Sequence, residues 1–134
     1  KDQYQSPKAL LGLLKSLLLQ GQTVEPLFLL RNFPASHEFA DAEKLLPLAE
    51  ALNQQDKGLI SEDDPLNAAF LNTLRLFRRG NLEASMDGLL DILRQNKHYR
   101  NNTARLVMIG ILELLNEKDP VSRQYRQELA SVLF

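Results

Sequence analysis

From Pro7 the apolar positions Leu10, Leu11, Leu14, Leu17 and Leu18 fall at three- and four-residue steps, the repeat of one helix face, and Gly21 stops the run. A second helix is predicted over Val24 to Arg31, carrying Leu27, Phe28 and Leu30. It ends before Asn32-Phe33-Pro34 because a residue preceding proline resists the α region. Gly21 is therefore placed in the turn of a helix hairpin. The segment Ser36 to Gln55 repeats the period with Phe39, Ala42, Leu45 or Leu46, Ala49 and Leu52, and Pro47 inside it predicts a break near Lys44.

Three dipeptides, Ser6-Pro7, Asp64-Pro65 and Asp119-Pro120, read as helix starts. In each, a polar cap precedes a proline at the first helical position, where no backbone donor is needed. From Pro65 the line Leu66, Phe70, Leu74, Phe77 climbs one face, and Arg78-Arg79-Gly80-Asn81 closes it with cations in the last turn and a glycine after it. Asn81 caps the next helix, with Leu82, Met86, Leu89, Leu90 and Leu93 on its apolar stripe and an end near Asn96. A helix opening at Asn102 or Thr103 contains Leu106 to Leu112, apolar nearly all round and so expected between neighbours. The last helix repeats at Val121, Tyr125, Leu129 and Val132 and finishes on Leu133 and Phe134.

Composition sharpens the class. Among 134 residues there are 29 leucines but four valines, four isoleucines and three threonines, so helix is favoured over strand. One domain spanning 1–134 is expected, long enough to bury a core without staples. The absence of cysteine removes disulfides, thiolate nucleophiles and cysteine zinc sites from this chain. Sixteen basic against seventeen acidic residues argue against nucleic acid or an anionic membrane as partner. Leu10 to Leu19, interrupted by Lys15 and Ser16, is too short to span a bilayer and lacks a signal peptide's cleavage site, so a cytoplasmic location is expected. The first residue is Lys1 rather than methionine, which reads as a fragment of a longer protein.

Catalytic chemistry finds little support. His37 and His98 lack the companions a metal site needs, and no nucleophile-elbow, dinucleotide or P-loop motif occurs. Glu38 and Asp41 share a helix face but have no partner base. No enzyme activity, metal or cofactor is expected. The run Arg94, Lys97, His98, Arg100, Arg105 contains no acidic residue and reads as a helix end followed by a solvated loop. A carboxylate clamp drawn from Asn67, Asn72 and Arg75 has no counterpart in the first hairpin.

The hairpins beginning at Pro7 and Pro65 lie on one another: proline, an apolar helix of similar length, glycine, then glutamate. Gly80-Asn81-Leu82-Glu83-Ala84 resembles the turn of the tetratricopeptide repeat, while the turn from Gly21 to Pro26 is one residue longer and degenerate. The expected fold is all-α, a tetratricopeptide-like stack of antiparallel helix hairpins with about six or seven helices. Stacked pairs leave a curved surface suited to extended protein partners.

A more specific likeness covers Ser6 to Phe134 and is strongest after Asp64. Asp63-Asp64-Pro65 with Asn67-Ala68-Ala69, the stretch Arg78 to Arg94, Asn101-Asn102-Thr103-Ala104-Arg105, and the close Asp119 to Phe134 resemble the C-terminal domain of the YbbN/CnoX family. Tyr125-Arg126 through Leu129 to Leu133-Phe134 is especially similar to that family's ending. Its members are bacterial thioredoxin-like proteins with tetratricopeptide repeats, described as chaperedoxins or co-chaperones. The resemblance implies an N-terminal thioredoxin-like domain preceding this chain, whose thiol chemistry does not carry over here. It also implies unfolded client proteins as partners, together with GroEL-type chaperonin and DnaK-type systems, and the C-terminal helix as docking element. Tyr125, Leu129, Val132, Leu133 and Phe134 are the residues expected to contact protein. A chaperone that holds unfolded chains needs exposed apolar area, for which Phe33 and Phe39 join Tyr125, Val132, Leu133 and Phe134 as candidates, with ordinary core the competing role. The alternative is a passive scaffold or oligomerisation domain for one native partner.

Overall fold

The computed structural model describes residues 6–134. In chain order the elements are α1 (Pro7–Leu19), α2 (Val24–Arg31), α3 (Phe39–Glu43), α4 (Leu46–Asp56), α5 (Pro65–Arg78), α6 (Leu82–Gln95), α7 (Tyr99–Leu114) and α8 (Pro120–Leu133). Setting aside the five-residue α3, the described residues form seven helices and no strand, the all-α architecture expected. All three polar-proline starts are capped as predicted: Ser6 Oγ accepts from the Ala9 N–H at 3.1 Å, Asp64 Oδ1 from Leu66 at 2.8 Å and Asp119 Oδ1 from Val121 at 2.9 Å. Asn81 caps α6 through the Ala84 N–H at 3.1 Å.

The hairpins α1–α2 and α5–α6 turn by the same device. Gly21 and Gly80 sit at φ +80° and +83°, and the residue after each donates back to the carbonyl five residues upstream, Gln22 to Leu17 and Asn81 to Leu76, both at 3.0 Å. The segment Ser36 to Gln55 breaks at Lys44 and Leu45 as Pro47 requires. Its first helix begins at Phe39 rather than Ser36, because the Ser36 hydroxyl donates to the Pro34 carbonyl at 3.0 Å and holds a turn there.

One core runs through the stack, with Leu14 and Leu18 of α1, Leu48 and Leu52 of α4, Phe70, Leu74 and Phe77 of α5, Met86 and Leu90 of α6, and Val107 and Ile111 of α7. α7 packs against α4, α6 and α8, which accounts for its all-round apolar surface. Two glycines permit tight helix contacts. A Cβ on Gly88 would stand 2.6 Å from Thr73 Cγ2 on α5, and one on Gly110 would meet the Lys44 carbonyl oxygen at 3.0 Å and Leu48 Cβ at 3.1 Å. Around the first contact, Ser85 Oγ donates to the Thr73 carbonyl at 2.8 Å, and Thr73 Oγ1 to that of Phe70 at 2.6 Å.

Arg78 does more than balance the end of its own helix. Its Nε donates to Gln55 Oε1 at 2.8 Å, Nη1 to the Gly21 carbonyl at 3.1 Å, and Nη2 to the Leu52 carbonyl at 3.0 Å and Asp56 Oδ1 at 2.7 Å. One guanidinium thus joins the α1–α2 turn, the end of α4 and the end of α5, a match of fixed donor geometry to several acceptors.

The right-handed part of α7 starts where expected, but a left-handed run precedes it. Arg100, Asn101 and Asn102 occupy the left-handed region at φ +49°, +56° and +71°, and the right-handed helix begins at Thr103. Asparagine tolerates that region, whereas arginine there is strained by about 1–2 kcal/mol.

Candidate interaction surface

α8 is set by its Asp119 cap and by a buried stripe facing α6 and α7. The Tyr125 hydroxyl donates to Asp87 Oδ1 on α6 at 2.8 Å and lies 3.4 Å from the Glu83 carbonyl, while Arg126 Nη2 donates to the Leu112 carbonyl on α7 at 3.3 Å. Tyr125 and Leu129 are only 6% and 8% exposed. Both were expected to touch a partner. In the structure they are buried residues that fasten α8 to its neighbours, and a partner reaches their side chains only if the helix lifts away. The reason is register, since Tyr125, Leu129 and Val132 lie on one face and that face is the inward one.

Val132 and Leu133 continue the stripe as half-buried residues packed against the core, and Phe134, past the last turn, is fully exposed. Lys97 Nζ donates to the Leu133 carbonyl at 3.3 Å, a cation at the helix end where carbonyls lack partners. The five residues therefore divide into a buried pair, a half-buried pair and one free ring.

Burial raises the Tyr125 pKa above the usual phenol value, and the hydrogen bond to the Asp87 carboxylate adds to it. The Tyr99 hydroxyl, raised mainly by burial, donates to Asn67 Oδ1 at 2.5 Å, and its ring lies 5.5 Å from that of Phe70. Asn67 is thereby engaged, Arg75 pairs with Glu62 at 3.4 Å, and Asn72 faces solvent, so the three do not form a free carboxylate clamp.

Phe33, expected among the exposed residues, is also buried, with its ring 6.5 Å from that of Phe39, which remains open at its edge. The largest apolar exposure on a helix lies instead on α2. Val24 and Phe28, one turn apart, are 79% and 63% exposed. Helical spacing grouped Phe28 with Leu27 and Leu30 and passed over Val24, yet a signal for exposure existed: six of the eight residues Val24 to Arg31 are apolar, more than one face of a two-turn helix can bury.

The basic run resolves into separate contacts. Arg94 pairs with Asp91 at 2.8 Å and approaches Glu128 at 4.0 Å, while Lys97 serves the α8 terminus. Among the described residues no group of His, Cys, Asp and Glu is arranged to hold a metal ion, and no helix is long and apolar enough to cross a membrane.

The sequence profile described as tetratricopeptide repeat matches residues 41–134, covering α4 through α8 and leaving α1 and α2 outside. No curated protein and no solved structure matches the chain. With that profile extending over more than half of its length and the glycine-turned α5–α6 hairpin inside it, the chain belongs to the tetratricopeptide-repeat family, whose stacked helices are protein-interaction modules.

Proposed function

We infer that the chain is the client-holding repeat domain of a cytoplasmic thioredoxin-like chaperone of the YbbN/CnoX type, binding unfolded segments and passing them to foldases such as a GroEL-type chaperonin or a DnaK-type system. The observation that carries the reading is the pair Val24 and Phe28, large apolar side chains left in solvent on one face of α2. Exposed apolar area of this kind serves a surface that receives unfolded chain. The C-terminal tip supplies a second such element in Phe134, with Val132 and Leu133 behind it. The sequence likeness around Tyr125 to Phe134 supports the chaperone assignment.

Suppression of citrate synthase aggregation on heating tests the reading. Suppression by this domain at several-fold excess is expected; none would leave the passive scaffold. Docking is tested separately. Deleting Val132 to Phe134 is expected to abolish chaperonin pull-down while helicity by circular dichroism is retained, and unchanged pull-down would refute the C-terminal assignment.

A further inference from the structure

A cavity of about 470 Å³ lies between α4 and the start of α7, within the usual size of ligand sites, roughly 300–1,000 Å³. Glu50, Ala51 and Gln54 line it from one face of α4, and Arg100, Asn101 and Leu106 from α7. Its lining thus joins a carboxylate, a guanidinium, two amides and apolar side chains, the mixture that peptide main chain and side chains require together. Neither Glu50 nor Arg100 has an ion-pair partner among the described residues. Arg100 Nη2 reaches Gln54 Oε1 at 3.4 Å, a long contact, and the guanidinium also lies beside the Tyr99 hydroxyl, so only part of its donor fork is open to the cavity. The backbone that presents Arg100 and Asn101 is the strained left-handed run, a cost of the sort retained where a side chain must be aimed.

Spacing defines the occupant. Gln54, which Arg100 touches, stands one helical turn from Glu50, roughly 5–6 Å along α4. In an extended peptide, side chains two residues apart point the same way about 6.6–6.8 Å from each other. We propose that this cavity binds an extended segment of a partner protein in which an acidic and a basic residue are separated by one position, the acidic side chain on Arg100 and the basic one on Glu50. The amides of Gln54 and Asn101 face the peptide main chain, and Ala51 and Leu106 take the intervening side chain. The proposal rests on the chain being a protein-interaction module and adds a charge pattern that apolar client holding does not require.

The test uses three acetylated, amidated pentapeptides: Ala-Glu-Ala-Lys-Ala, Ala-Lys-Ala-Glu-Ala, and Ala-Gln-Ala-Gln-Ala. Titrations are followed by nitrogen-15 NMR. One charged order is expected to shift Arg100 Nε and the Asn101 and Thr103 amides saturably and to bind about tenfold more tightly than the neutral peptide. Arg100→Gln and Glu50→Gln are each expected to weaken that peptide about three- to fivefold. Glu50 is an exposed helical position whose neutral replacement leaves the fold intact, so the second variant stands even if the first disturbs the turn. Equal binding of the neutral peptide, shifts confined to other residues, or variants that bind as the parent does would overturn the proposal. Aggregation suppression is measured on the same samples. Loss of peptide selectivity with suppression intact sinks the cavity alone, and selective peptide binding without suppression sinks client holding alone.

Discussion

Thr73 of α5 stands tight against Gly88 of α6, with only 2.6 Å between Thr73 Cγ2 and the position a Cβ on residue 88 would take. Gly88→Ala is expected to destabilise by about 1–3 kcal/mol, the usual cost of an overpacked contact. Thr73→Ser removes the offending methyl yet keeps the hydroxyl that bonds the Phe70 carbonyl. In that background the same substitution is expected to be neutral or to stabilise by up to about 1 kcal/mol, because alanine is the better helix former. Urea unfolding of the four proteins measures the coupling; equal costs in both backgrounds would show that the methyl is not the obstacle.

Arg78→Lys keeps the charge but cannot serve Gln55, Gly21, Leu52 and Asp56 together. Because the guanidinium is partly solvent-exposed, the expected loss is about 2 kcal/mol rather than the sum of its hydrogen bonds. Denaturant titration checks the value, and amide exchange in α1 and α2 is expected to rise before that in α6. Wild-type stability in the lysine variant would mean that the Asp56 pair alone matters.

Tyr125 and Tyr99 give a pH dependence on the alkaline side. Both have folded pKa values above the ordinary 10.0, Tyr125 through burial and its bond to Asp87, Tyr99 mainly through burial. The folded protein therefore holds protons that the unfolded chain releases. This contribution is fully present below pH 10 and is lost as pH rises through the folded values. Tyr125→Phe is expected to flatten the fall in stability above about pH 10 relative to the parent, which isolates the phenol from lysine titration. Parallel curves for the two proteins would remove Tyr125 from the account.

Val24→Ser with Phe28→Ser removes the exposed apolar pair from α2. Since both side chains face solvent, stability is expected to change by no more than about 0.5 kcal/mol per site, while aggregation suppression falls by at least half. Suppression unchanged in a folded double variant would move client holding away from α2.

Leu129→Ala and removal of Phe134 separate core from surface on α8. The first is expected to cost about 2–4 kcal/mol and the second less than about 0.5 kcal/mol. Thermal unfolding distinguishes them, and equal effects would contradict the division between a buried stripe and an exposed tip.

Much of the architecture was legible because the signals were local. Ser6, Asp64, Asn81 and Asp119 accept the N–H groups their positions require, Gly21 and Gly80 end their helices, and Pro47 breaks the chain where expected. The left-handed run at Arg100 to Asn102 was not legible, because nothing in the local pattern distinguishes it from an ordinary helix entry. Site residues fared differently. Helical period identifies a stripe such as Tyr125, Leu129 and Val132 but not which neighbour covers it, so residues expected at the surface became core. On α2 the reverse occurred: apolar density exceeded the area its neighbours cover, and Val24 and Phe28 were left outside.

The contact of Gly110 with the Lys44 carbonyl and Leu48 links two features that look unrelated along the chain. Pro47 interrupts the helix and leaves a corner at Lys44 and Leu45; Gly110 is the flat spot on α7 against which that corner sits. Each is a liability alone, a helix breaker and a weak helix former, and each is explained by the other. They answer to one steric constraint, so natural variation at positions 47 and 110 is expected to be correlated, with a side chain at 110 tolerated only where the corner has been straightened or moved.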